Sequence, residues 1–232
     1  MKRKSKRYKE LLKSKIKDKK LSIIEILDLV KKNSNTKFDE SIDISLRLNL
    51  KQSKGGDFSL RTVVKLPNGS GKKEKIAVLC EPDKISEAKN SGADIVGSDD
   101  LIEKIASGKF NFSKLICTPS MMGKVGKHGK ILGPKGLMPN PKLGTVTNEI
   151  SKAIVEAKAG QVEIRNDKDG NIGLSIGKKS FDDEKIIKNY NAVIEALEKE
   201  KSNLTIKGDL VKQVFVTSSM GVSYKIKLEN NL

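Results

Sequence analysis

The hydrophobic rhythm of this chain changes twice, and that change restricts the fold more than any single motif. Ile42, Ile44, Leu46, Leu48 and Leu50 alternate with Asp43, Ser45, Arg47 and Asn49. Successive side chains of a strand point to opposite faces, so this is a strand with one dry and one wet face, the habit of an antiparallel sheet. It follows an amphipathic helix opened by a Ser22–Glu25 capping box, with Ile23, Ile26, Leu27 and Val30 on one face. A glycine turn at 54–57 leads to a second strand near 60–66. From residue 76 the apolar runs become continuous, at 76–80, 93–96 and 115–117, separated by helices at 83–90 and at 99–107, the latter capped by Ser98. Buried strands alternating with helices predict a parallel sheet with crossover connections. A further helix at 148–158 carries Ile150, Ala153, Ile154 and Ala157 on one stripe and ends at Gly160.

After Gly160 the alternation returns. Segments 162–165 and 172–176 flank a turn at 166–171 and read as a hairpin. Asp182 caps a helix with Ile186, Ile187, Tyr190, Val193, Ile194 and Leu197 inward, and strands follow near 212–218 and 223–228. The expected fold is therefore an α+β split domain, an antiparallel sheet with helices, built from residues 1–67 and 160–232. Residues 68–159 form an inserted α/β three-layer, Rossmann-like domain. Hinges are expected near 67–71 and 159–160, at Pro67, Gly69, Gly71 and Gly160.

The loop at 128–142 follows neither period. Pro134, Pro139 and Pro141 remove backbone donors, and glycines stand among Ile131, Leu132, Leu137 and Met138. The expectation is a rigid cationic loop without regular structure, held on a scaffold and presenting Lys127, His128, Lys130, Lys135 and Lys142 to an anion.

Charge names the kind of partner. The net charge is +17, and residues 1–20 hold 11 Lys and Arg against Glu10 and Asp18. Neutralising phosphates releases counterions, so a polyanion, nucleic acid first, is the expected partner. That terminal run reads as a solvated tail, part of it an amphipathic helix through Leu11, Leu12 and Ile16. There is no Trp, and aromatics are 4%, too few to stack on unpaired bases, so a folded RNA is favoured. Cys80 and Cys117 lie in apolar runs without metal spacing and read as buried thiols of a cytoplasmic protein. No apolar run approaches membrane-spanning length. Enzyme readings fail: His128 is the single histidine, and Gly69-Ser70-Gly71-Lys72-Lys73 lacks the outer Gly and the Ser/Thr of a phosphate loop. No cofactor, metal or catalytic residue is expected.

Three loops remain as binding candidates: 37–41, 176–181 and 217–221. The last joins three hydroxyls to Met220 and Gly221, suited to sugar and phosphate contacts with a thioether packed in a groove.

Those segments (KFDES, IGKKSF and SSMG), with LGPKGLMPNPKLGTVT at 132–147 and AKAGQVEIRNDKDGNI at 157–172, closely resemble the ribosomal protein L-one family of the large-subunit stalk. The resemblance runs from about Ser22 to Gly221. It implies a split domain that binds large-subunit rRNA and an inserted domain that swings on two hinges. It also implies a mobile stalk that helps release deacylated exit-site tRNA. In many bacteria such a protein represses translation by binding its own operon mRNA. Carried onto matching positions, the rRNA-binding residues are Lys37, Phe38, Glu40, Ser41, Lys178, Ser180, Thr217, Ser219, Met220 and Gly221. Gly173 stands where the family commonly has His, Ser219 where it has Thr, and Val222-Ser223 where Pro or Ala and Gly are usual. The protein is expected to be a monomer off the ribosome. Removing residues 1–20 should weaken cognate and unrelated RNA alike. The rivals are a nucleotide-dependent α/β enzyme and a nonspecific RNA chaperone.

Overall fold

Residues 5–14, 21–49, 60–108, 110–203 and 209–227 are described by the computed structural model; Leu50, Ile16 and the glycine turn at 54–57 lie outside them. In chain order the elements are α1 (Lys6–Ser14), α2 (Ile23–Asn33), β1 (Ser41–Leu48), β2 (Arg61–Lys65), β3 (Ile76–Leu79), α3 (Ile85–Asn90), β4 (Ile95–Gly97), α4 (Asp99–Ala106) and β5 (Lys114–Cys117). There follow α5 (Met122–Gly126), α6 (Gly129–Leu132), α7 (Ile150–Lys158), β6 (Gln161–Arg165), β7 (Asn171–Lys178), α8 (Asp183–Asn203), β8 (Val211–Ser218) and β9 (Tyr224–Lys225). They divide into two units, 1–71 with 162–232, and 72–161.

In the first unit a four-stranded sheet runs β7-β1-β8-β9, antiparallel at every pairing. The dry face of β1 places Ile42, Ile44, Leu46 and Leu48 in one core with Ile26, Leu27 and Val30 of α2 and with Ile186, Val193 and Leu197 of α8. The Ser22 hydroxyl accepts the Glu25 N–H, and the Glu25 carboxylate accepts the Ser22 N–H at 2.9 Å, which fixes the start of α2. α1 also belongs here: Leu11 is buried in this core, and Tyr8 and Leu12 pack against it.

The 166–171 turn does not close a hairpin. β6 pairs with β2 in a separate two-stranded sheet, whereas β7 pairs with β1. Asn166 stands at the switch: its side-chain oxygen accepts the Leu60 N–H at 2.5 Å and holds the end of β6 beside residue 60. Asp167 then turns the chain by accepting the N–H groups of Asp169 and Asn171 at 3.0 and 2.6 Å. These bonds hold its carboxyl below the ordinary value, the Asn171 contacts first. Residues 68–69 are tied to α8: the Asn68 N–H donates to the Asn189 side chain at 3.0 Å, and that amide donates to the Gly69 carbonyl at 2.9 Å.

In the second unit a parallel sheet runs β4-β3-β5. β3 is buried on both faces, so its continuous apolar run serves two layers. Ala77 and Leu79 meet Leu101, Ile105, Val125 and Leu132 on one side. Ile76 and Val78 meet Ala88, Ile150, Ala153 and Ile154 on the other. Ser98 precedes α4, but its hydroxyl makes no capping bond; its carbonyl takes the Leu101 and Ile102 N–H groups, at 3.2 and 3.4 Å.

The proline loop is more regular than its composition suggests. α6 forms because residues 129–132 precede Pro134 and keep their donors; the Gly133 N–H reaches the Gly129 carbonyl at 2.8 Å. Pro141 opens a 3-10 turn, Pro141–Leu143, at the position where no donor is needed. Gly144 ends it at φ 70°, a left-handed conformation that suits glycine.

Candidate nucleic-acid interface

The sheet register assembles the candidate site. Ser41 faces Lys178 across one ladder, and Ile42 faces Ser218 across the other. The start of β1 therefore lies between the ends of β7 and β8, and the loops at 37–41, 177–180 and 217–221 meet at one end of the sheet. The Ser219 N–H donates to the Ser41 carbonyl at 3.0 Å, and the Ser219 hydroxyl accepts the Ser41 N–H at 3.1 Å. Asp39 accepts both the Ser180 N–H at 3.1 Å and the Ser180 hydroxyl at 2.8 Å. The Lys178 ammonium donates to the Asp39 carbonyl at 3.3 Å and to the Ser41 hydroxyl at 3.1 Å. Lys179 reaches the Ser34 carbonyl. Much of this charge binds the loops to one another.

Glu40 corrects one expectation. It is fully buried, so its carboxylate supports the loops from beneath rather than facing outward. One oxygen accepts the Thr36 hydroxyl at 2.9 Å and the other the Met220 N–H at 3.1 Å. Burial alone would raise its pKa, but the Ser218 hydroxyl, the Met220 N–H and Thr36 together outweigh that and hold it below 4.5. Below residue 221 the fit is close: a Cβ on Gly221 would stand 2.4 Å from the Ser218 oxygen.

Above this frame the outward groups are of another kind. Phe38 is 55% exposed and Met220 is 49% exposed, with Lys37, Ser180 and Ser219 exposed beside them. Ser41, Lys178, Thr217 and Gly221 are half-buried. Two large apolar side chains thus stand in the open beside a hydrogen-bonded base.

Sequence reasoning missed Thr36 and Arg7, and it named the loops of Asp39 and Ser218 without giving those two residues a role of their own. Thr36 and Asp39 gave no signal beyond being short polar residues beside Lys37 and Phe38. Ser218 is buried and was indistinguishable from its neighbouring hydroxyls. Arg7 stands within the basic terminal run, yet its guanidinium donates to the Met220 carbonyl at 2.8 Å and to the Asn35 side chain at 3.4 Å. Only the helical spacing of Leu11, Leu12 and Ile16 hinted at an amphipathic segment in this run.

The second unit offers a different surface. No Asp or Glu occurs from residue 104 to 148. Lys127, Lys130, Lys135 and Lys142 are exposed there and His128 is half-buried, while Leu132, Pro139 and Leu143 are buried beneath them. Lys135 lies over the Phe110 ring, 4.3 Å from its centre. Cys80 and Cys117 are buried free thiols, and burial pushes Cys117 up to about 11. Among the described residues no group of His, Cys, Asp and Glu could hold a metal, and no helix is long and apolar enough to cross a membrane.

Comparison with known proteins gives two findings. The model of the ribosomal protein L1p/L10e family matches residues 30–222. The large ribosomal subunit protein uL1 of Pelagibacter ubique (strain HTCC1062) is 63% identical over 225 residues, 97% of this chain and 97% of the relative.

Proposed function

Because the chain belongs to the ribosomal protein L1p/L10e family, we propose that the loops at one end of its four-stranded sheet are its rRNA-binding site. The protein is a ribosomal component of the large subunit and not an enzyme. The observation that carries the site is the exposed pair Phe38 and Met220 above a base of mutually bonded polar groups with Glu40 buried at its centre. Such a surface fits a shallow, folded RNA groove: apolar side chains and hydroxyls discriminate shape, and lysines add a sequence-independent attraction. Lys37, Phe38, Ser41, Lys178, Ser180, Thr217, Ser219, Met220 and Gly221 form the contact surface or its rim, and Glu40 holds it from below.

The lysine-rich surface of the second unit is proposed to meet exit-site tRNA, by charge rather than by fit, and so to assist release of deacylated tRNA. The inserted, Rossmann-like unit would swing about the crossings near 67–71 and 159–160, where Gly69, Gly71 and Gly160 take left-handed φ values. An operon mRNA that presents the same folded shape as the rRNA would occupy the same loops and be repressed.

The test is competitive binding of a large-subunit stalk-base rRNA fragment against an unrelated folded RNA, at low and at physiological salt. A preference for the fragment that survives higher salt supports the site. Equal binding to both, lost together with salt, would leave only a charge effect.

A further inference from the structure

We infer that Arg7 is a positioning residue of the RNA site, tying together the two loops that carry its exposed apolar anchors; this rests on the rRNA-binding reading above. The Met220 peptide is held from both sides. Its N–H goes to Glu40 at 3.1 Å, and its carbonyl accepts from Arg7 at 2.8 Å. The second arm of the same guanidinium reaches Asn35 at 3.4 Å, three residues before Phe38. One planar fork therefore spans the loop of Met220 and the loop of Phe38, across 213 positions of sequence.

The helix that supplies Arg7 is fixed in place. Leu11 is buried in the core of the first unit, with Tyr8 and Leu12 against it, while Lys6, Lys9 and Lys13 are exposed. So α1 has two separable roles. Its exposed lysines add charge that any RNA feels. Arg7 limits where Met220 and Phe38 stand before RNA arrives, which lowers the ordering cost for an RNA of matching shape and does nothing for one that lacks it. A lysine at this position keeps the charge but loses the fork, since an ammonium cannot donate from two planar arms at once.

This changes the expectation for the basic N-terminus. Charge alone predicts equal losses for all RNAs when residues 1–20 are removed. Arg7 adds a loss confined to the cognate RNA.

The experiment uses the full chain as wild type, Arg7→Lys, Arg7→Ala and Lys9→Ala, each bound to the stalk-base rRNA fragment and to an unrelated folded RNA over a salt series. Thermal unfolding checks that each variant is folded. Arg7→Lys is expected to weaken the rRNA fragment roughly five- to tenfold, with an unchanged salt slope and no change for the unrelated RNA. Lys9→Ala is expected to weaken both and to reduce the slope by about one. Methyl-13C methionine spectra of the free protein give a second readout. The Met220 methyl should shift in Arg7→Lys while Met121, Met122 and Met138, all in the other unit, stay in place.

Unchanged rRNA affinity in Arg7→Lys, with an unmoved Met220 methyl, overturns the inference. So does an equal loss for both RNAs with a lowered slope in Arg7→Ala, which would make Arg7 a phosphate contact. If the wild type itself shows no preference for the fragment, the RNA-site reading fails, and the inference falls with it for that separate reason.

Discussion

The loops around Met220 and the proline loop at 128–144 are written in similar residues, glycine, lysine and isolated apolar side chains, yet they are built inside out relative to each other. Around Met220 many polar groups bond to one another rather than standing free: Glu40 is buried, Asp39 holds Ser180, and Lys178 and Lys179 reach backbone carbonyls. Phe38 and Met220 are left outside. In the proline loop Leu132, Pro139 and Leu143 are inside, and the lysines are left outside. A rigid apolar surface can discriminate shape, because it is favourable only where the partner fits. A surface of mobile ammonium groups attracts any phosphate backbone. Similar composition thus gives an apolar outer surface in one unit and a cationic one in the other, which we propose act by fit and by charge respectively.

That contrast can be broken in four places. The largest expected effect is on stability alone. Leu132 is fully buried, and Leu132→Ala should cost about 2–4 kcal/mol in thermal unfolding, with the preference between RNAs intact. A lost preference in folded protein would mean that the two surfaces are not separate in role. Next, Met220→Asp should weaken the cognate rRNA fragment by about 2 kcal/mol or more and leave unrelated RNA nearly unaffected. Equal affinity in a folded mutant would remove fit as the principle of the site.

Third, Glu40→Gln should cost about 1–2 kcal/mol of stability and weaken cognate binding. The native carboxyl titrates below 4.5, lower than in the unfolded chain, so folding favours its ionised form. Its contribution is therefore fully present above 4.5 and is lost as pH falls through the lower native value. Thermal stability followed from about pH 6 to about pH 3 should decline less in Glu40→Gln than in wild type; parallel curves would mean that Glu40 is not the group responsible. The smallest effect belongs to the proline loop. Lys130→Ala and Lys142→Ala should each weaken all RNAs severalfold at low salt and lower the salt slope by about one. A loss confined to one RNA would give this loop a shape-reading role after all.

Much of the fold was legible because local patterns and packing agree. The capping box at Ser22, the alternation in 42–48 and the stripe of Ile150, Ala153, Ile154 and Ala157 each repeat at the period of the element they build. The misreadings fall where a side chain competes with the local rule. Asn166 bonds to Leu60 at the point where β6 parts from β7 to join a different sheet. Four residues free of proline let α6 form inside a loop whose composition argues against helix.

The candidate site divides in the same way. By itself the sequence determined its chemistry: hydroxyls, lysines, a thioether and glycine are covalent facts, and the clustering of charge follows from counting. Only the tertiary structure decided which of these face outward and which are buried supports. Glu40 and Met220 stand 180 positions apart, and Arg7 and Met220 stand 213 apart. Whether a carboxylate is a contact or a buried support depends on groups that register and packing bring to it. No period along the chain records such a meeting, because hydrogen bonding and burial act through space.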